Sequence, residues 1–110
     1  MMIGQQISKI IGYSVTECDI EFRVHATQRM FQRGIAHDAV IALIADGIVI
    51  ESYPDDMPFP SVLINGTTST GRSIHGVVGA DVSGKRLYVV TVYDPDPSKW
   101  RSGFSKRILS

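Results

Sequence analysis

Hydrophobic positions along this chain follow a helical period as far as Gly47 and a strand period beyond it. Ile3, Ile7, Ile10 and Ile11 make a first, weak helical pattern that stops at Gly12. From Val24 to Arg33 the pattern is firmer. Gly34 follows where a left-handed C-terminal residue is wanted, so a helix is predicted there. A second helix is predicted from His37 to Asp46, carrying Val40, Ile41, Leu43 and Ile44 and stopping at Gly47.

After the change of period, IVIESY reads as a strand, PDDMPFP as a proline-rich turn and SVLING as a short strand. TTSTGR is a further turn. SIHGVVGADV and RLYVVTVY are longer strands separated by Ser83-Gly84-Lys85, hairpin chemistry that pairs them antiparallel. DPDPSKW ends the sheet, because proline has no N–H to give a ladder, and the basic tail RSGFSKRILS follows. The expected fold class is α+β, with two or three N-terminal helices packed on one face of an antiparallel sheet of about four strands. Residues 1–23 are expected to be an N-terminal extension with a short helix, and residues 24–110 a single domain.

Composition narrows the function classes. A chain of 110 residues fits one domain, and 44% hydrophobic with 20% charged residues is ordinary for a globular protein. The longest apolar stretch, Ala39 to Ala45, is far below the roughly 20 residues of a membrane span. The first residues have neither the basic start nor the apolar run of a secretion signal, so a cytoplasmic location is expected. Eleven basic and eleven acidic residues cancel, so any nucleic-acid role must rest on local patches. The lone Cys18 forms no internal disulfide. With no HxxxH or CxxC among the histidines and cysteine, neither metal nor cofactor is expected.

Candidate chemistry concentrates on the Val24–Arg33 helix. Stepping roughly 100° per residue from Val24 places Ala26, Thr27, Met30 and Phe31 with it on one side; His25, Gln28, Arg29, Gln32 and Arg33 take the other. His25, Arg29 and Arg33 are spaced i, i+4, i+8, one titratable imidazole and two permanent cations along one edge. Guanidinium forks suit phosphate oxygens, and histidine exchanges protons near neutral pH. A solvated polar face is the alternative reading of the same residues.

His75 falls in a strand, grouped by alternation with Val77 and Gly79, and the glycines around it leave a notch that either admits a ligand or marks a bulge. Arg72 just ahead adds a cation. In RLYVVTVY, alternation groups Leu87, Val89, Thr91 and Tyr93, so hydroxyls close an apolar row. His37 in the first turn of the second helix reads as a cap or a partly buried ring. Asp94 and Asp96 around Pro95 read as turn acids. Trp100 among Lys99, Arg101, Lys106 and Arg107 either touches nucleic acid or packs on its own sheet.

HATQRMFQRGI, IESYPDD, SIHGVV and TVYDPDPSKW, in that order over residues 24–107, resemble a family of small bacterial domains of unknown function. That family is grouped with RelE-, BrnT- and MqsR-like toxins, in the wider fold that includes barnase-like and colicin ribonucleases. The resemblance implies a RelE-like fold and a metal-independent RNA endonuclease, with RNA and a cognate zinc-finger or helix-turn-helix antitoxin as partners. The chemistry it implies is attack of a ribose 2′-hydroxyl on the adjacent phosphorus. His25 and His75 would exchange the protons, Arg29 and Arg33 would hold the phosphate, and Thr91 and Tyr93 would position it; Arg72, outside these motifs, is a further candidate for substrate binding by its place ahead of the His75 strand. A non-catalytic protein-binding module, its arginines gripping an acidic partner, is the alternative, alongside a plain structural domain. The catalytic reading requires His25, Arg29, His75 and Thr91 to meet in one cleft.

Overall fold

A computed structural model describes residues 4–108, so Ile3 of the first helical pattern lies outside the described residues. The elements are α1 (Ile7–Ile11), a 3-10 turn (Val15–Glu17), β1 (Asp19–Phe22), α2 (Val24–Arg33), α3 (His37–Asp46), β2 (Ile48–Tyr53), β3 (Ser61–Thr67), β4 (Ser73–Asp81) and β5 (Arg86–Tyr93). Both longer helices have the predicted limits. Gly34 ends α2 at φ 63°, its N–H reaching the carbonyls of Met30 and Phe31, the left-handed geometry that glycine adopts without a Cβ penalty. Gly47 stops α3 for another reason. Its φ is −68°, but a Cβ there would sit 2.5 Å from both the Leu43 carbonyl oxygen and Ile64 Cγ2.

One five-stranded sheet has the order β1-β5-β4-β3-β2. β4 and β5 pair antiparallel as the hairpin signal required, and β2 and β3 likewise pair with their neighbours antiparallel. The expectation of about four antiparallel strands is corrected on two points: there are five, and β1 runs parallel to β5. The four residues of β1 are too few to show a period. A parallel partner 67 positions away leaves no local turn signal (Asp19 pairs with Arg86).

Register and burial sort the strand residues between the two sides of the sheet. On one side Val62, Ile64, Ile74, Val78, Ala80, Leu87, Val89 and Val92 form a single core cluster with Ile7 and Ile11 of α1, Ala26 and Met30 of α2, and Val40, Leu43 and Ile44 of α3. On the other, Leu63, Ile50 and Trp100 gather Tyr53, Val77, Tyr93 and Phe104. The expected row Leu87, Val89, Thr91, Tyr93 does not persist. Val78 pairs with Val89 but Val77 with Thr91, so β5 carries one extra residue at Val90 and the alternation restarts. Val92 therefore rejoins the main core, and Thr91 and Tyr93 pass to the opposite side. Among the described residues no helix is long and apolar enough to cross a membrane.

The glycine notch beside His75 has an occupant on the main-core side. A Cβ at Gly76 would lie 2.9 Å from Leu43 Cδ2, and one at Gly66 2.6 Å from Leu43 Cδ1, so the two glycines seat the leucine that holds α3 on the sheet. Leu43→Ala should then destabilise the fold by about 2–5 kcal/mol in urea unfolding. Gly76→Ala should cost stability in the native background and cost less in Leu43→Ala, because the clash partner is gone. Strictly additive losses would show that the two sites do not share this space.

Candidate functional site

α2 packs on the sheet through β5, so only a narrow arc of it is covered. Ala26 and Met30 are buried, whereas Val24 is 70% and Phe31 90% exposed. The helical spacing groups both, with Thr27, on the same side as Ala26 and Met30. They instead form an apolar ridge at i and i+7 facing solvent, next to the exposed His25 and Arg29. The side chains of His25 and Arg29 make no hydrogen bond or ion pair with any described residue. No acidic residue occurs in α2.

Arg33 and Arg72 are engaged with the chain. Arg33 Nη1 donates to the Val92 carbonyl at 2.7 Å. Arg72 donates to the carbonyls of Arg33 at 2.7 Å and Gly34 at 3.0 Å, which satisfies acceptors left over at the end of α2. Its Nε and Nη2 grip Asp94 at 2.7 and 2.9 Å. That hydrogen-bonded guanidinium holds the Asp94 carboxyl below the usual carboxylate range. Asp94, read as a turn acid, is thus half of a clamp between the sheet end and α2, whereas Asp96 does serve a turn, accepting from the Ser98 N–H at 2.8 Å.

His75 is fully buried on the opposite side of the sheet, in a cross-strand row with Asn65 and Tyr93. The chain after β5 folds back over it. Trp100, 4% exposed, sets its ring edge-on to His75 at 4.6 Å, so the tail aromatic packs on its own sheet. His75 Nε2 lies 2.8 Å from the Phe104 carbonyl, which it can only donate to, and Nδ1 is then the acceptor facing the Tyr93 hydroxyl at 3.4 Å. Asn65 Nδ2 ties down the same strap through the Gly103 carbonyl and Ser105 Oγ.

At the strap's far end Arg107 forms a two-pronged contact with Glu51 at 2.6 and 3.0 Å, with its guanidinium 4.5 Å over the Trp100 ring. The Tyr53 hydroxyl donates to the same carboxylate at 2.6 Å. Arg107 holds Glu51 below the usual carboxylate range; burial, with the Glu51 carboxylate adding, pushes Tyr53 up to about 12.

The structure therefore brings His75 and Tyr93 together, and joins Arg33 with Arg72, but leaves His25 and His75 on opposite sides of the sheet. Thr91 is half-buried one row from His75, opposite Val77. Arg29 meets none of them. His37 is exposed, its ring 4.1 Å from Phe22. Glu51 and Tyr53 were overlooked by sequence reasoning. Glu51 stands in a strand like any solvent-facing acid, and its arginine comes 56 positions later. Among the described residues no three His, Cys, Asp or Glu side chains gather as a metal site.

A family model described as "Domain of unknown function (DUF4258)" matches residues 22–94. No curated protein and no solved structure matches the chain.

The buried imidazole makes stability depend on pH. Burial pushes His75 below its ordinary value, against the smaller, opposing effect of the Phe104 carbonyl. With the folded pKa below the unfolded value of about 6.5, the unfolded chain takes the proton first; stability is complete above about pH 6.5 and is lost as pH falls towards the folded value. The thermal midpoint should drop between about pH 7 and pH 5 and the Trp100 emission should shift with it, while in His75→Gln the midpoint should be flatter over that window. The carboxylates Glu51 and Asp94 add a separate loss only below about pH 4.5. A wild-type midpoint unchanged over the higher window would contradict the assignment.

Proposed function

The chain belongs to the Domain of unknown function (DUF4258) family, and we propose that it acts as a protein-binding module through the outer face of α2. One observation carries this reading: Phe31 and Val24, 90% and 70% exposed, stand beside the unpaired Arg29 and His25 on a helix without acidic residues. Solvent-exposed apolar side chains next to a free guanidinium are the usual makings of a contact surface, with arginine and aromatic residues as anchors. The chain as a whole is neutral, so this positive face is local and selects an acidic partner. The partner is a protein segment with acidic residues for Arg29 and apolar ones for the Val24–Phe31 ridge. A cognate antitoxin, the partner that the motif resemblance implies, is the candidate for that segment.

Selection of displayed peptides on the full chain tests the reading. It should enrich sequences combining acids with aliphatic or aromatic residues, and Arg29→Glu or Phe31→Ser should weaken the selected peptides by about 2 kcal/mol, roughly thirtyfold. His25→Ala should change affinity little. Failure to enrich any shared pattern, or equal binding by Arg29→Glu, would overturn the proposal.

A second reading, metal-independent RNA cleavage in a cytoplasmic toxin with a RelE-like arrangement of helices on one sheet face, draws on a different observation. Glu51, Tyr53, His75, Tyr93 and Arg107 lie together on the side away from α2. A carboxylate, an imidazole and a guanidinium are the groups that 2′-hydroxyl attack on a phosphodiester uses. On this reading the reaction belongs to that cluster, with the strap displaced, and His25 is no longer the partner of His75. Purified protein should cut single-stranded RNA in EDTA, with or without ribosomes. Glu51→Gln should lower the rate on the order of a hundredfold. Intact RNA under both conditions, with no growth arrest on induced expression, would sink it.

A further inference from the structure

The sheet side away from α2 has a second half that the strap does not cover. There the register aligns Ser61 of β3, Gly79 of β4 and Tyr88 of β5 in one row. Over this row opens a cleft of about 210 Å³, closed at one end by the loop between β2 and β3 and at the other by Arg23, the residue ahead of α2. Phe59 stacks parallel to Tyr88 at 5.4 Å, and the Arg23 guanidinium lies 4.5 Å over the Tyr88 ring. Ser61 donates to Asp56 Oδ2, and Asp56 Oδ1 takes no hydrogen bond from any described residue.

Gly79 makes this an open site rather than a packing gap. Two other glycines in the strands, Gly66 and Gly76, are pressed by Leu43, and Gly79 is not: the nearest atom to a Cβ there would be Tyr88 Cβ at 3.8 Å, an ordinary contact. Neither backbone conformation nor core packing requires glycine at this position, and glycine in a strand forgoes roughly 0.5–1 kcal/mol relative to alanine. What its missing side chain leaves is the floor of the cleft.

Charge defines the ligand. Arg23 stands at one end, lying over Tyr88 with a loose 3.8 Å ion pair to Glu21, and the Asp56 carboxylate stands at the other. A phosphate dianion would gain one arginine but face two carboxylates. A molecule with a separated anion and cation gains at both ends. We infer that the cleft binds a small zwitterion of the amino-acid type, its carboxylate on Arg23, its ammonium on Asp56 and Ser61, and a flat apolar side group against Phe59 and Tyr88. The aromatic wall favours an aromatic side group and adds cation–π attraction for the ammonium. This inference rests on the cleft alone and stands apart from the α2 surface.

Titration calorimetry and saturation-transfer NMR on the full chain, with phenylalanine, tyrosine and tryptophan as probes, test it. At least one should bind saturably. Phenylalaninamide, lacking the carboxylate, and 3-phenylpropionate, lacking the ammonium, should each bind on the order of tenfold more weakly than phenylalanine. Gly79→Val fills the floor and should abolish binding at a thermal midpoint no lower than that of the native chain. Arg23→Gln should weaken phenylalanine but leave phenylalaninamide as it was, a readout that holds even if the valine variant folds poorly. The inference is overturned if no probe binds, if AMP binds as tightly as the amino acids, if a folded Gly79→Val binds normally, or if Arg23→Gln weakens acid and amide alike.

Discussion

One extra residue in β5 decides which side chains share a surface. Up to Val89 the strand alternates strictly, Leu87 and Val89 meeting the helices and Tyr88 turned away. The bulge at Val90 then reverses the phase, so that Val92 returns to the core and Tyr93 lies beside His75. Were the alternation unbroken, Val92 would leave the core, Tyr93 would sit in the main core, and His75 would lose its hydroxyl neighbour. The bulge also fixes the place where the Val92 carbonyl accepts from Arg33, the point at which the end of α2 is tied to the sheet.

From that reversal the side of the sheet away from α2 acquires two unlike halves. Over β2–β4 the C-terminal strap covers a polar group: His75 hydrogen-bonds to Phe104, Asn65 to Gly103 and Ser105, and Glu51 to Arg107. Each is a buried or half-buried polar side chain whose partner lies on the strap, so the strap satisfies groups that would otherwise be costly to bury. Over β4–β5 the row through Gly79 and Tyr88 lies beside Phe59 and Arg23 instead of the strap, and the aromatic cleft opens there. α2 on the other side presents its own chemistry, the apolar ridge beside Arg29. The three surfaces differ in chemistry: an apolar ridge beside a free arginine on the helix, a carboxylate, imidazole and guanidinium beneath the strap, and an aromatic wall between opposite charges in the cleft.

Much of the fold was legible in local pattern. The limits of α2 and α3, the Gly34 stop and the β4–β5 hairpin follow from apolar spacing and turn residues, because each is decided by contacts within a few positions. The candidate site was legible only in its residue types. His25, Arg29 and Arg33 do share a helix, but their spacing says nothing of what lies across from them. Of the arginines read as phosphate ligands, Arg72 spends its donors on backbone carbonyls and Asp94, and Arg33 gives one donor to the Val92 carbonyl. Glu51 and Arg107 gave no signal, since an ion pair across 56 positions has no sequence period.

The sequence by itself determined the limits of α2 and α3 and four of the five strands, and it marked His75 and the α2 polar edge as places with chemistry to offer. Tertiary structure alone decided how these face one another: that His25 and His75 lie on opposite sides of the sheet, that Val24 and Phe31 are exposed, that β1 joins β5 in parallel, and that the tail closes over His75. The physical reason is that periodicity sets the relative phase of side chains within one element. Which phase is buried depends on the width of the neighbouring surface, here a single strand under α2, and on one bulge in that strand.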